Sequence, residues 1–137
     1  MPDLTITVAS VKKVSGSTKT DEGTAGVTIT AGQSVYKDST NSDKYALADA
    51  DTQAASVCKG IALHAALADQ PLEVGTGGLI DIGATVTVGQ VYVVSTTAGG
   101  VAPYSDLAAG DYVSIIGVGT TVARIDLRIN NSETAKA

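Results

Sequence analysis

The feature that most restricts the fold is a regular alternation, from residue 71 onward, of short apolar runs with glycine turns. The last run alternates strictly, with Ile125 and Leu127 on one face and Arg124 and Asp126 on the other, as in a half-buried strand. Short strands at such regular spacing predict a barrel or compact sandwich and argue against a parallel α/β sheet. The predicted strands are "PLEV", "LIDIG", "TVTVGQVYVVS", "GGVAPY", "DYVSIIGVG" and "TVARIDLRIN".

One phrase occurs three times, as "AGQSVY", "VGQVYVV" and "AGDYVS". Each copy has a glycine, then Gln or Asp, then a run that contains Val and Tyr. We interpret each copy as a turn that leads into a strand, because glycine supplies a positive φ and the polar side chain can satisfy exposed turn backbone. Gly32, Gly89 and Gly110 are therefore predicted to be folding residues and not parts of a ligand loop.

The glycine-rich stretch "GTGG" (75–78) could be a phosphate-binding loop or a turn. A phosphate loop needs a helix N-terminus after it and a lysine within it. The residues that follow, "LIDIG", predict a strand instead, and the lysine is absent. We therefore interpret this stretch as a turn between two strands.

The apolar composition agrees with thin, pleated layers. The 137 residues include no Trp, no Phe and only 5 Tyr, so the core is built mainly from Val, Ile, Leu and Ala. Such side chains fill the space between strands better than the wider gaps between helices. A chain of this length buries about two thirds of its unfolded surface, which is enough for one domain with its own core. We predict a small single-domain all-β fold, barrel-like or sandwich-like, with one short helix and an extended N-terminal arm.

The N-terminal arm is predicted over residues 1–26. Its first part, "LTITV", alternates Leu4, Ile6 and Val8 with threonines and predicts a half-buried strand. The stretch 12–26, "KKVSGSTKTDEGTAG", is polar and has no hydrophobic period, so we interpret it as a mobile loop or extended arm.

The β-rich domain is predicted over residues 27–130. Within it, "DTQAAS" (51–56) is the best candidate for a short helix, with Asp51 as its cap, and a strand is predicted over 57–63. Residues 131–137 are polar and predict a flexible C-terminal tail.

Charge and composition limit the possible partners. The net charge is −5, and the only adjacent basic pair is Lys12-Lys13, whereas a nucleic-acid-binding surface needs a basic stripe. No apolar run approaches the about 20 residues of a membrane-spanning helix. A single cysteine, Cys58, excludes an internal disulfide, and no signal peptide is visible. We therefore expect a soluble protein that is made in a cytosol and binds neither nucleic acid nor membranes.

No motif in the sequence predicts catalysis. His64 is the only histidine, and Cys58 lies six residues away on the same face of the predicted strand, which places the two about 20 Å apart. A zinc site lacks third and fourth ligands near them. We expect no enzymatic activity, no cofactor and no bound metal.

The order of several short motifs resembles that of the tailed-bacteriophage capsid decoration, or cement, proteins. The resemblance covers about residues 27–130 and depends on the order of the motifs, since each one is short. The matching residues are Gly32-Gln33, Gly60-Ile61-Ala62-Leu63, Gly78 to Ile82, Gly89-Gln90-Val91-Tyr92, Gly99-Gly100 and the closing "GVGTTVARIDLRI".

The resemblance implies a β-rich domain that binds the outer surface of an assembled phage head and reinforces it. Its partners would be the phage major capsid protein and further copies of itself, as a homotrimer at three-fold or quasi-three-fold positions. The protein would be made in the cytoplasm of a bacterial host and located on the virion surface. Relatives often grip neighbouring capsid subunits with an N-terminal arm.

For this chain, the alternating arm is expected to add a strand to a sheet edge on the shell or on a neighbouring copy. Deletion of residues 2–14 is then expected to abolish binding and to leave a folded domain. The candidate contact residues are Leu4, Ile6, Val8, Val11, Lys12 and Lys13.

Two other classes of function stay open. The chain could be another virion component, of a tail tube, baseplate or fibre. It could also be a small carbohydrate- or ligand-binding β module, although such sites usually stack rings on exposed aromatic side chains and Trp and Phe are absent. A hydrolase that uses His64 is a distant third.

Overall fold

A computed structural model describes residues 3–137 as ten β-strands and three single 3₁₀ turns, which confirms the all-β prediction. The 3₁₀ turns are Val8–Ser10, Ser39–Asn41 and Tyr104–Asp106. The strands are β1 (Val11–Lys13), β2 (Lys19–Thr24), β3 (Ser34–Asp38), β4 (Lys44–Leu47), β5 (Gly60–Ala62), β6 (Pro71–Ile82), β7 (Val91–Val94), β8 (Val101–Pro103), β9 (Tyr112–Gly119) and β10 (Arg124–Ala135).

The strands form one curled antiparallel sheet in the order β4-β3-β5-β6-β10-β9-β7-β8, with β1 and β2 also paired to β6. The first half of β6 lies between β2 and β5, and its second half lies between β1 and β10. The sheet therefore has two parts that share one strand, and it curls into a half-barrel.

The turn predicted at "GTGG" is wrong, because residues 75–78 continue β6 without a reversal. Gly78 does have a φ of +76°, and the strand changes partners there, from β2 to β10. A Cβ on Gly78 would lie 2.0 Å from the carbonyl oxygen of Ser17, and one on Gly60 would lie 2.1 Å from that of Gly75. The glycines therefore permit close approach of neighbouring strands to β6 rather than a turn.

Two apolar clusters fill the two parts of the sheet. The smaller lies among β2, β3, β4, β5 and the first half of β6. There the N–H of Gly26 donates to the carbonyl of Tyr45 at 2.8 Å, which brings the end of β2 against β4. The larger lies against the second half of β6 and β7 to β10. The smaller cluster contains Ala25, Ile29, Val35, Tyr45, Ala62, Ala66, Leu72 and Val74; the fully buried members of the larger include Ile61, Ile80, Ile82, Val93, Ile116 and Ile125.

The N-terminal residues are part of this sheet and not a separate arm. The N-terminal segment (residues 3–7) has no regular secondary structure, and Leu4 and Ile6 pack against the larger cluster while the two threonines between and after them are exposed. The N–H of Leu4 donates to Val101 at 2.8 Å, and that of Thr7 donates to Gly83 at 2.7 Å. The predicted alternation is correct for Leu4 and Ile6, whose apolar face is covered by the protein's own core. It is wrong for Val8, which is 53% exposed in the first 3₁₀ turn, and residues 3–7 do not form the predicted strand.

The stretch predicted as a mobile loop, 12–26, contains β2, which pairs with β6 over six residues. Five of the six residues of β2 are exposed, so no hydrophobic period marks this strand in the sequence. Backbone hydrogen bonds to a long neighbouring strand hold it in place, and these bonds are independent of side-chain type. The predicted boundary at residue 26 therefore does not divide the sheet.

The predicted helix at 51–56 is wrong, since these residues form successive turns. A segment this short gains too few helical hydrogen bonds to offset the cost of nucleation. The carboxylate of Asp49, and not of Asp51, accepts the local backbone bond, from the N–H of Asp51 at 2.9 Å. The strand predicted over 57–63 is shorter than expected and spans Gly60–Ala62.

The C-terminal residues predicted to be flexible continue β10 to Ala135. The side chain of Asn131 holds this end of the strand, because its amide oxygen accepts from the N–H of Cys58 and its amide nitrogen donates to the carbonyl of Cys58, both at 3.0 Å. The hydroxyl of the buried Ser114 donates to the same amide oxygen. One polar side chain therefore replaces a pair of backbone bonds between β10 and the segment before β5.

The three repeated phrases form three copies of one turn, as predicted. Gly32, Gly89 and Gly110 have φ of +88°, +83° and +97°. In each copy the N–H after the glycine donates to the carbonyl three residues earlier, and a strand (β3, β7 or β9) follows. The side chains of Gln33 and Asp111 also accept the N–H three residues earlier, at 2.9 and 2.8 Å. No helix within residues 3–137 is long and apolar enough to cross a membrane.

Substitution of the three turn glycines by alanine should separate backbone strain from steric overlap. Gly89→Ala and Gly110→Ala meet nothing within 4 Å and should lose about 1 kcal/mol of unfolding free energy through the positive φ alone. Gly32→Ala places its Cβ 2.6 Å from Cγ2 of Ile6 and should lose about 3 kcal/mol. Urea unfolding of the three variants measures the difference, and equal losses would contradict a close contact between Ile6 and the first turn.

Asn131→Ala should destabilise the protein by about 2–3 kcal/mol, because it leaves the N–H and C=O of Cys58 and the Ser114 hydroxyl without their partner. Asn130→Ala is the matched control, since this neighbouring side chain is exposed and should change the unfolding free energy by less than about 0.5 kcal/mol. Urea unfolding followed by circular dichroism measures the change in unfolding free energy for both variants. Equal effects of the two substitutions would mean that the C-terminal strand is not held as described.

Candidate interaction surface

A groove of about 620 Å³ lies beside the N-terminal segment. The N-terminal segment forms one wall, and the residues after β6 with the loop between β9 and β10 form the other; the paired strands β1, β6 and β10 form the floor. The groove exists because β6 pairs with β1 on one side and with β10 on the other, which places residues distant in sequence next to each other.

Three charged residues form a row across the floor of this groove. Lys12 on β1 and Arg124 on β10 are each directly opposite Asp81 on β6. Side chains at directly opposite positions of antiparallel strands point to the same face, with Cβ atoms about 4.5–5.5 Å apart. The Nε of Arg124 donates to Oδ1 of Asp81 at 2.8 Å. The row therefore carries two positive charges and one negative charge.

Most side-chain hydrogen-bond donors in the groove have no partner within residues 3–137. The Lys12 side chain forms no ion pair or hydrogen bond there, and Arg124 uses only its Nε, so its two terminal nitrogens are uncommitted. Four exposed hydroxyls line the same groove and likewise bond to no other described residue. They belong to Thr5, Thr7, Ser10 and Thr85.

The six residues predicted as contacts do not share one face. Leu4 and Ile6 are half-buried against the larger cluster, and Val11 is buried. Lys13 is exposed but pairs with Glu73 at 3.2 Å. Only two of the six, Val8 and Lys12, present side chains to solvent without such a partner.

Sequence analysis missed the residues that complete the surface. Val122, in the loop between β9 and β10, lines the groove and is 68% exposed. Asp81 and Arg124 were recognisable only as outward positions on separate strands. Strand pairing alone places them opposite Lys12.

The two residues considered for catalysis lie in different surroundings: Cys58 is buried and His64 is exposed. Burial raises the pKa of the Cys58 thiol to about 12, so no nucleophilic thiolate forms near neutral pH. His64 is exposed, and its Nε2 accepts the N–H of Glu73 at 3.0 Å. Within residues 3–137, no three His, Cys, Asp or Glu side chains are grouped so that they could hold a metal ion.

No protein-family model, no curated protein and no solved structure matches this chain. Its surface is therefore interpreted from the chemistry of its own residues.

The free energy of unfolding should fall as the pH rises from about 9 to about 12. The pKa of Cys58 is raised from 9.0 to about 12 by burial, and that of Tyr45 is raised from 10.0 to about 12 by burial and then by the charge and hydrogen bond of Asp21. Below these ordinary values both groups are protonated in both states and add no pH dependence. Above them the unfolded chain loses protons that the folded chain retains, so unfolding becomes more favourable.

Urea unfolding at about pH 8 and about pH 11 measures this loss of stability. The double variant Cys58→Ala with Tyr45→Phe should lose less stability over the same interval than the wild type. Equal slopes in the two proteins would contradict burial of the two groups in the native state.

Proposed function

We propose that this chain is a structural virion protein that binds the outer surface of an assembled phage capsid and stabilises it, as decoration or cement proteins do. Its partners are the major capsid protein and two further copies of itself, in a homotrimer. The order of the short motifs between residues 27 and 130 supports this proposal. The all-β architecture is compatible with it.

One observation of the structure carries the proposal further. Side chains without partners among residues 3–137 line one groove: the exposed Val122 and the Lys12 ammonium group. Apolar side chains next to uncommitted charges are what a protein surface offers when another protein completes it. Hydrogen-bonded pairing of β1, β6 and β10 already orders the backbone under these side chains, so docking would cost little additional conformational entropy.

The mode of attachment differs from the donated strand that the sequence predicts. Release of residues 2–14 would expose the apolar cluster that Leu4, Ile6 and Val11 cover, and it would remove β1 from the sheet. Their deletion should therefore damage the fold as well as any binding. We propose that the N-terminal segment stays in place and that its outward side chains make the contact.

A weak contact per copy suffices for this role. A capsid presents its sites in a regular array, and linked copies raise one another's effective concentration. A closed trimer matches a three-fold position on a shell, because cyclic symmetry repeats the same contact three times. Reinforcement then follows from many modest contacts that bridge neighbouring capsid subunits.

The alternatives predict different observations. A tail-tube, baseplate or fibre component forms rings or filaments, which electron microscopy of the purified protein would detect. A carbohydrate-binding module stacks sugar rings on aromatic side chains, and the lining of the groove contains none.

Val122→Asp should weaken binding to capsids about tenfold or more, since it buries an unpaired charge in the contact. The matched control is Leu67→Asp, because Leu67 is 59% exposed but does not line the groove. Both substitutions are at exposed positions and should leave thermal unfolding nearly unchanged. Co-sedimentation with purified capsids of the phage that encodes the chain measures occupancy.

If wild-type protein does not sediment with capsids, the proposed function is wrong. If Val122→Asp and Leu67→Asp bind equally well, the protein uses another face. Native mass spectrometry of the free protein tests the homotrimer, and a monomer at the concentrations of the binding assay would contradict it.

A further inference from the structure

We propose that the groove between the N-terminal segment and β10 is a carboxylate-binding site that takes an acidic side chain from an extended segment of a partner protein. This inference deepens the proposed function, since the capsid would carry the acidic segment. The binding chemistry belongs to the groove itself and can be measured without capsids.

The donors in the groove fit an anion. Arg124 is held by one bond from its Nε to Asp81, which fixes the guanidinium plane and leaves the two terminal nitrogens for a ligand. A planar pair of N–H donors matches the two oxygens of a carboxylate. Lys12 lies across Asp81 on the next strand and adds a second positive charge to the same row.

The hydroxyls extend this donor set along the groove. Thr5 and Thr7 lie on one wall and Thr85 on the other, and none of the three hydroxyls bonds to another residue of the described chain. Hydroxyls can donate to ligand oxygens or accept from peptide N–H groups. They therefore suit the peptide backbone on either side of an acidic side chain. At about 620 Å³ the groove is larger than one carboxylate requires.

Charge selects a monoanion rather than a polyanion. Two cations and one carboxylate give the row a net charge of one, and the rest of a chain of net charge −5 repels anions in general. A nucleic acid needs a stripe of cations along its backbone, which this row does not provide. Asp81 thus acts as a positioning residue, because it orients Arg124 and limits the positive charge.

The test is a nuclear magnetic resonance titration of the full-length protein with two peptides of matched length. The probe is acetyl-Gly-Gly-Glu-Gly-Gly-amide, and its control carries Gln in place of the Glu residue. We expect the acidic peptide to shift the backbone amides of Thr5, Lys12 and Thr85 and the Nε–Hε signal of Arg124. The affinity should fall several-fold between about 25 and about 150 mM salt, because exposed charges are screened.

Four variants separate the site from general surface charge. Lys12→Gln and Arg124→Gln should each weaken the acidic peptide about two- to fivefold. Arg128→Gln is the matched control, because its Nε donates to Asp126 at 2.9 Å in the same way but its side chain is 80% exposed and outside the groove. Asp81→Asn should tighten binding about two- to fivefold, since it removes the competing negative charge. A disrupted fold would not produce a gain of affinity.

Three results with the wild-type protein would overturn the inference: no shifts at the groove with the acidic peptide, equal shifts with the Gln peptide, or tighter binding of inorganic phosphate than of the acidic peptide. Loss of affinity in Arg128→Gln equal to that in Arg124→Gln would also overturn it, since binding would then follow surface charge alone. If the acidic peptide binds as expected but wild-type protein does not sediment with capsids, the carboxylate site stands and the proposed function fails.

Discussion

The pairing of β6 with four other strands is the interaction on which the rest of this structure depends. Its first half is bonded to β2 and β5, its second half to β1 and β10, and the two apolar clusters lie against the two halves. Glycine makes this crowding possible, because a Cβ at Gly60 or Gly78 would lie about 2 Å from a neighbouring carbonyl oxygen. A side chain at either position would force a neighbouring strand away from β6.

The groove is a direct consequence of that pairing. Lys12, Asp81 and Arg124 are separated by long stretches of chain, and only the register of β1 and β10 on β6 aligns them in one row. The N-terminal segment then closes one side, because Leu4 and Ile6 are buried while the threonines beside them stay exposed. The same segment thus contributes apolar side chains to the core and polar side chains to the groove.

Local signals predicted the three repeated turns correctly, although they also predicted a helix at 51–56 that does not form. The positive φ at Gly32, Gly89 and Gly110 follows from a repeated phrase of four to five residues, and the structure confirms all three turns. Two predictions failed where long-range pairing decided the outcome. The polar stretch that contains β2 is held by backbone bonds to β6, and the C-terminal residues are held by the amide of Asn131. Neither contact requires a hydrophobic period, so neither can be recognised from the sequence.

The sequence by itself determined the fold class, the three repeated turns and the alternation of Leu4 and Ile6 with threonines, because these depend on residues within a few positions of one another. Only the tertiary structure decided that the N-terminal residues cover the protein's own core, that "GTGG" continues a strand, and that Arg124 and Asp81 share a groove with Lys12. These outcomes depend on which strands pair and in what register, and hydrogen bonds between distant backbone segments set both.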